Sequence, residues 1–479
     1  MTDVGPIGRL GRFAARRAWW VIGVWAVVFV GLGIISPRVE TALSGAGWEA
    51  TGSESVQARD LVQQNFGGAS SSALMVVVRS PGQTMADPAF RAAVTRVEGI
   101  LKADPRVATV IPPTPGQSIS RDGHTVVVMA GAGGTPTTMV RAADDLKGPL
   151  ETAGSQGVQV SLTGASGMWS DFNEANKSAM MKSEVMSWPV TLAILLLAFG
   201  ALVAAGLPLM LTIVGLVSSA GVLWMVAQAF DVSIWAMNFA LMFALALGID
   251  YALFVVVRFR GALLGSHLNR ADAVAKTMDT AGKAVLFSGL TVLISLTAVM
   301  LVPSPAFRSM SLGIMLSVVF VLAATLTLLP AVLAKLGDRV NRFSLPWVHQ
   351  GEHRSERFAR WGERLWRRPA LYGVPALLVL IVLAVPVLGL KTGMPSIKVV
   401  PSGDSSRQGY VAVQQAFGPG APGALQLVGP AAQVQQAAQI AAAQPGIARV
   451  TGVQPGGGGM ALVQAIPAAA PSAPAVGDT

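Results

Sequence analysis

The chain has 479 residues, of which 52% are apolar and 13% carry a charged side chain; that balance excludes an ordinary soluble domain and fits a chain that crosses a membrane repeatedly. Its formal charge of +10 lies in short segments beside apolar runs, the mark of membrane topology and not of a nucleic-acid partner. There is no cysteine, which excludes a disulfide framework, a thiol nucleophile and a thiolate metal site.

A crossing helix needs about 20 predominantly apolar residues. Residues 1–18 carry Arg9, Arg12, Arg16 and Arg17 just before the first such run, at 19–36. Arg367 and Arg368 precede a similar run at 370–390, so the first is read as a span and not as a signal peptide. Residues 37–185 read as a folded α+β domain outside the membrane. Ala73–Arg79, Val107–Ile111, Thr125–Ala130 and Val158–Leu162 have strand character. Pro88–Lys102 is predicted to be a helix with Phe90, Val94, Val97 and Leu101 on one face, and a second helix falls near Thr138–Leu146. Helices alternating with short strands suggest split βαβ units.

A bundle follows over 186–334, with spans at 186–205, 207–229, 234–257, 284–303 and 309–334. Residues 335–369 form a basic linker. Within it Glu352–Arg368 is predicted to be an amphipathic helix with Phe358, Trp361 and Leu365 on one side, suited equally to a headgroup-level anchor or to packing on the bundle. The seventh span covers 370–390, and 391–479 opens a second outer domain, incomplete, whose Pro-, Gly- and Ala-rich tail from Gly452 is expected to be disordered. The basic residues of 1–18, 258–283 and 335–368 all fall on one side when seven helices alternate. The positive-inside rule makes that side cytoplasmic and places 37–185 and 391–479 externally.

A shift of 351 residues aligns two parts of the chain without a gap: Arg16-Arg17 with Arg367-Arg368, Gly52 with Gly403, Ser55 with Ser406, Val62-Gln63-Gln64 with Val413-Gln414-Gln415, Phe66-Gly67 with Phe417-Gly418, and Ala73-Leu74 with Ala424-Leu425. With residues deleted between, Ala461–Ile466 also matches the strand at Thr125–Ala130.

Asp250 is the one carboxylate inside these apolar spans. A charged side chain at the centre of a bilayer costs at least about 2.5–3.5 kcal/mol, so it is kept where it faces protein or water and serves a function. No Lys or Arg lies in the body of a span to hold it as an anion, which favours a group that gains and loses a proton over a static ion pair. Tyr251 follows it and points about 100° away on a helix, toward another helix. In the fifth span Ser288, Thr291 and Ser295 share one face; their hydroxyls suit a proton path or, equally, bonds to their own backbone. Gly248 allows a close helix approach near the acid. His124, His267, His349 and His353 read as solvated loop residues, with no third ligand that makes a metal site. Neither a phosphate-binding G-x-x-x-x-G-K-[ST] loop nor a G-x-S-x-G elbow is present.

Gly248-Ile249-Asp250-Tyr251-Ala252-Leu253-Phe254, followed by Arg258-Phe259-Arg260, resembles the fourth-span signature of the MmpL family in the RND superfamily. Ala284-Val285-Leu286-Phe287-Ser288-Gly289-Leu290-Thr291 and Leu328-Leu329-Pro330-Ala331 resemble it too, and the likeness runs from residue 1 to about 450. The resemblance implies an RND-like fold, a polytopic α-helical membrane protein with external α+β porter-type domains in the bacterial inner membrane. It implies proton-driven export of membrane lipids or hydrophobic small molecules by a twelve-span protein, no enzymatic activity, and no cofactor beyond the proton gradient. Carried over, Asp250 is the proton acceptor and Tyr251 partners the acid of the other half. The sequence departs from that pattern because no second Asp-Tyr pair is present. The expectation is a C-terminally truncated chain, a missing half supplied by another polypeptide, or self-association. A non-transporting scaffold or lipid sensor is the rival expectation.

Overall fold

A computed structural model describes residues 4–43, 48–154, 157–264, 268–345, 356–390 and 396–473. Among the described residues seven helices are long and apolar enough to cross a membrane. His267, His349 and His353 lie outside the described residues.

α1 (Pro6–Arg16) turns Gly8, Gly11 and Ala14 inward and leads into α2 (Ala18–Ile35), prolonged by α3 (Val39–Ala42) as the first span. The chain then builds α4 (Glu54–Asn65), β1 (Leu74–Arg79), α5 (Pro88–Ala103), β2 (Val107–Ile111), β3 (Thr125–Ala132), α6 (Pro136–Thr152) and β4 (Gln159–Thr163). The strands lie in the order β2-β3-β1-β4, each pair antiparallel. With α5 and α6 on one face, this is the split βαβ plan. Along β1, Leu74, Val76 and Val78 enter the core with Phe90, Val97, Leu101, Met139 and Leu150. Val77 points the other way and joins Val127. β1 is thus buried on both faces, which is why it reads as an unbroken apolar run. His124 is half-buried, its Nδ1 lying 3.1 Å from the Ser80 carbonyl and 2.9 Å from that of Gln83. That corrects its reading as a solvated residue: the ring ties down the turn that follows β1.

α7 (Gly164–Phe199) begins directly after β4 and runs for 36 residues. It passes unbroken through the expected boundary at residue 185. At 1.5 Å per residue such a helix is about 54 Å long, nearly twice a hydrocarbon core, so its polar first half stands outside the membrane without a break. The bundle continues with α8 (Leu202–Ala227), α9 (Trp235–Leu264) and α10 (Arg270–Thr277), which passes through a π turn at Met278–Gly282 into α11 (Lys283–Val299). α12 (Pro305–Leu326) breaks at Thr327 before α13 (Leu328–Leu336). The cause is Pro330, which has no N–H to offer the Leu326 carbonyl.

α14 (Glu356–Arg367) leads into the seventh span, α15 (Pro369–Ala384). Among the described side chains of the amphipathic helix, Trp361 and Trp366 are exposed and Leu365 is half-buried. The apolar stretch of span seven is 0% buried.

The chain ends, as described, in a second unit: α16 (Ser405–Phe417), β5 (Leu425–Pro430), α17 (Ala431–Ala442), β6 (Ile447–Val450), β7 (Gln454–Pro455) and β8 (Met460–Pro467). β8 pairs with β5, β6 and β7. β8 covers Ala461–Ile466, the stretch matched to the strand at Thr125–Ala130, and corrects the disorder expected from Gly452 onward. Gly and Pro do fill the loop over 452–459, but Ala461, Leu462 and Val463 are buried in the sheet, and that burial outweighs the loop-like composition.

The two units exchange a helix. α16 lays Ala412 and Val413 on Val77 and Val127 of the first sheet, whereas α4 lays Val62 and Phe66 on Leu462 and Val428 of the second. Val62 and Val413, like Val77 and Val428, are 351 residues apart. The same register recurs in a hydrogen bond: Gln57 Nε2 donates to the Gly52 carbonyl at 3.0 Å, and Gln408 Nε2 to that of Gly403 at 2.8 Å. A fully buried Val contributes about 1.5–3 kcal/mol, so these contacts hold the units to each other firmly.

Candidate functional site

α9 carries Asp250 and Tyr251 to opposite environments. Tyr251 is 4% exposed and belongs to the bundle core; its hydroxyl lies 3.4 Å from Ser288 Oγ on α11. Asp250, one residue earlier, is exposed, as are Phe254 on the next turn and Phe287, Ser288, Thr291, Ile294 and Ser295 on α11. Leu247 of α9 and Val292 and Leu293 of α11 pack together with Ile314 and Val318 of α12, so α9 and α11 flank α12 and Asp250 stands at the edge of the surface they share. A helix turns 100° per residue, so with Tyr251 claimed by the core its neighbour Asp250 falls on the outer face. Among the described residues the Asp250 carboxylate makes no hydrogen bond or ion pair.

The serines and threonines of α11 divide. Ser288 is within reach of Tyr251, but Thr291 Oγ1 donates to the Phe287 carbonyl at 2.9 Å and Ser295 Oγ to the Thr291 carbonyl at 2.9 Å. Those two are bonded to their own helix backbone, as hydroxyls in spans commonly are. Their shared face follows from the spacing, but the structure gives them no contact with Asp250 or Tyr251.

Gly248 is a contact residue for α8. A Cβ there would stand 2.4 Å from Thr212 Oγ1 and 3.3 Å from the Thr212 backbone, and that hydroxyl already donates to the Pro208 carbonyl at 3.1 Å. Gly248→Ala is expected to lower stability by about 1–3 kcal/mol through overpacking. Adding Thr212→Ala should recover part of that loss; thermal unfolding of the purified chain in detergent measures both.

Two basic residues of the motif have partners that sequence reasoning did not find. Arg260 Nη1 donates to the Phe199 carbonyl at 2.6 Å, where α7 ends, and Arg258 Nε to Thr280 Oγ1 at 3.1 Å. An arginine at a helix C-terminus satisfies a free carbonyl and complements the helix dipole. Both fasten the bundle at the end away from the α+β units, and neither is paired with Asp250.

A clasp in the α+β region was also missed. Asp171 on α7, its side chain 3% exposed, accepts from Lys147 Nζ at 2.8 Å and from the backbone N–H of Ser406 at 2.8 Å. Thr163 Oγ1 donates to the Ser406 carbonyl at 2.7 Å, and the Leu162 N–H to Ser405 Oγ at 3.0 Å. The start of α16 is thereby held to β4 and α7.

Comparison with known proteins agrees with this architecture. The MMPL family profile matches residues 47–372. The chain is 29% identical over 430 residues to the mycolic acid-containing lipids exporter MmpL11 of Mycolicibacterium smegmatis, covering 88% of this chain and 45% of that protein. It is 32% identical to the putative membrane protein SCO6666 of Streptomyces coelicolor, covering 86% of this chain and 58% of that one. Against the trehalose monomycolate exporter MmpL3 of Mycobacterium tuberculosis it is 26% identical, covering 83% and 46%. A relative similar at 29%, also from M. tuberculosis, is named a heme uptake protein. The chain spans about half the length of the curated relatives it matches. A profile that runs through spans two to six and the first α+β unit, with the Asp250–Tyr251 pair inside it, makes this polytopic membrane protein a member of the MMPL family.

Proposed function

We propose that the chain forms the first half of a proton-driven exporter of lipids or other hydrophobic compounds across the bacterial inner membrane, with Asp250 as the group that takes up and releases the proton. The carrying observation is the position of Asp250, a carboxylate at mid-helix on an exposed α9–α11 face beside the Tyr251–Ser288 contact. A carboxylate at that depth is not left to lipid. A second bundle bearing its own Asp-Tyr pair, from another polypeptide or another copy, covers this face in the working transporter, and Tyr251 then serves the partner acid. The relatives named as lipid exporters support the substrate class, and the proton gradient supplies the energy without a cofactor.

The test is reconstitution into vesicles with an imposed pH gradient, reading accumulation of fluorescent lipid and hydrophobic probes with and without an uncoupler. Accumulation that needs the gradient supports the proposal. Lipid binding without gradient-dependent movement supports instead the scaffold or lipid-sensor reading, which the unpartnered Asp250 carboxylate favours. The orientation is tested separately: a reporter fused after Arg260 should be cytoplasmic and one fused after Gly164 external, and the reverse pattern inverts the topology.

A further inference from the structure

Where the bundle meets the α+β units, a chain of aromatic rings closes its end. Trp48 meets Trp235 edge-on at 5.5 Å and Phe307 at 5.7 Å; Trp235 lies 5.9 Å from Phe172, which meets Trp169 at 5.6 Å. The segment after Trp48 is fixed there by the Thr51 N–H, which donates to the Pro303 carbonyl at 3.0 Å.

Two cavities open beside these rings. One, of about 390 Å³, is lined by Trp48, Val56, Val140 and Trp169. The other, of about 410 Å³, is lined by Asp60, Gln63, Thr137, Asp231 and Ser233. Glu49, Arg59 and Pro136 line both, so the two are halves of one groove pinched at the Arg59–Glu49 ion pair. Each half has the size of a small-molecule site.

Polar atoms along the groove lack partners. Ser233 is 2% exposed and its Oγ is unsatisfied, although its backbone N–H donates to Ser309 Oγ at 3.1 Å. The Nε1 atom of Trp48 is buried and unsatisfied as well, and so, behind the groove wall, is that of Trp235, whose ring packs on Trp48. Each such atom costs about 1–3 kcal/mol when nothing bonds it. Ser233 can accept or donate; the indoles can only donate.

Charge sets the sign of the ligand. Three carboxylates, Glu49, Asp60 and Asp231, line the groove against the single cation Arg59, which pairs with Glu49 and lies 3.4 Å from Asp60. Asp231 is exposed at the mouth. The excess is negative, which opposes a phosphate or sulfate head and attracts an ammonium.

We propose that this groove is a binding site for a cationic amphiphile, its ammonium head between Asp60 and Asp231 and its apolar body along Trp48 and Trp169. As a statement of substrate class it rests on the transport reading; as a binding site it does not.

The test uses the full chain in neutral-lipid nanodiscs and a photoreactive alkyltrimethylammonium probe, with labelled peptides mapped by mass spectrometry. Labelling is expected on the peptides carrying Trp48 or Trp169, displaced by octyltrimethylammonium and not by octyl sulfate or octyl maltoside. Asp60→Asn and Asp231→Asn, both at exposed carboxylates, should each weaken labelling roughly fivefold with unchanged thermal unfolding. Equal displacement by octyl sulfate, undiminished labelling in both variants, or labelling confined to the lipid-facing helices overturns the site. Labelling in the groove without gradient-driven movement of the probe overturns the transport reading and leaves the site; movement without labelling there does the opposite.

Discussion

Asp250→Asn is expected to abolish gradient-driven transport, a loss of roughly a hundredfold or more, while insertion and folding are unchanged. Asn has the shape of Asp but cannot exchange a proton at any accessible pH. Because the Asp250 carboxylate has no hydrogen bond or ion pair among the described residues, the substitution breaks no internal contact. It also removes the cost of placing a charge at mid-span. Thermal unfolding should therefore be level with the parent or slightly higher while flux disappears. Asp250→Glu keeps a titrating group, displaced by one methylene, and should retain partial flux. Equal gradient-dependent flux in the parent and in Asp250→Asn would sink the proton role of this residue.

Asp171→Ala is expected to loosen the two α+β units from each other and to cost about 2–3 kcal/mol. The side chain is nearly inaccessible and serves both Lys147 and the Ser406 N–H, so its loss leaves a buried donor unmet. The figure sits below that for a fully broken buried pair because Lys147 keeps Glu174 at 2.7 Å. Burial opposes the Lys147 charge, yet the hydrogen bonds from Asp171 and Glu174 prevail and hold its pKa above the ordinary lysine value. Hydrogen exchange of the α16 amides measures the effect directly: faster exchange there, with the bundle unchanged, is the expected result. Unchanged exchange would show that apolar packing alone docks α16.

The same clasp bears on pH. Burial first, and then the nearby Asp171, push the Asp404 carboxyl up, with Glu174 and Glu151 adding to the rise and Lys147 opposing it. An acid whose folded pKa is raised binds its proton more tightly in the folded state. Its contribution to docking is fully present below the unfolded value and is lost as pH rises through the folded one. In Asp171→Ala that slope should flatten.

Features set by local pattern were legible in the sequence. Seven apolar runs and the strand and helix periods of the first unit need only neighbours along the chain. Asp250 stood out because a charge in an apolar run is conspicuous by itself. Other features depend on partners far away in sequence. Arg260 reaches a carbonyl 61 residues distant and Asp171 a backbone N–H 235 residues distant, and no periodicity reports such pairs. Hydropathy placed the start of span two at residue 186, because it registers where apolar residues begin and not where a helix does. For Thr291 and Ser295 the spacing fixed the face and left the hydrogen-bond partner undetermined. In the last stretch, Gly and Pro suggested disorder and only the match of Ala461–Ile466 to the strand at Thr125–Ala130 pointed the other way, because the burial of Ala461, Leu462 and Val463 depends on strands made earlier.

The exchange of α4 and α16 sets a timetable for biosynthesis. Thr163, which closes the first sheet, and Ser406, which bonds to it, are 243 residues apart. At a synthesis rate of about 5–20 residues per second, roughly 12–50 s separate the appearance of the two. During that interval the bundle is being inserted while Val77 and Val127 lie on a sheet face with no helix over it. The nascent first unit thus spends its early life with an apolar surface open to other proteins, and its maturation is paced by translation of the membrane segment between the two halves of the exchange.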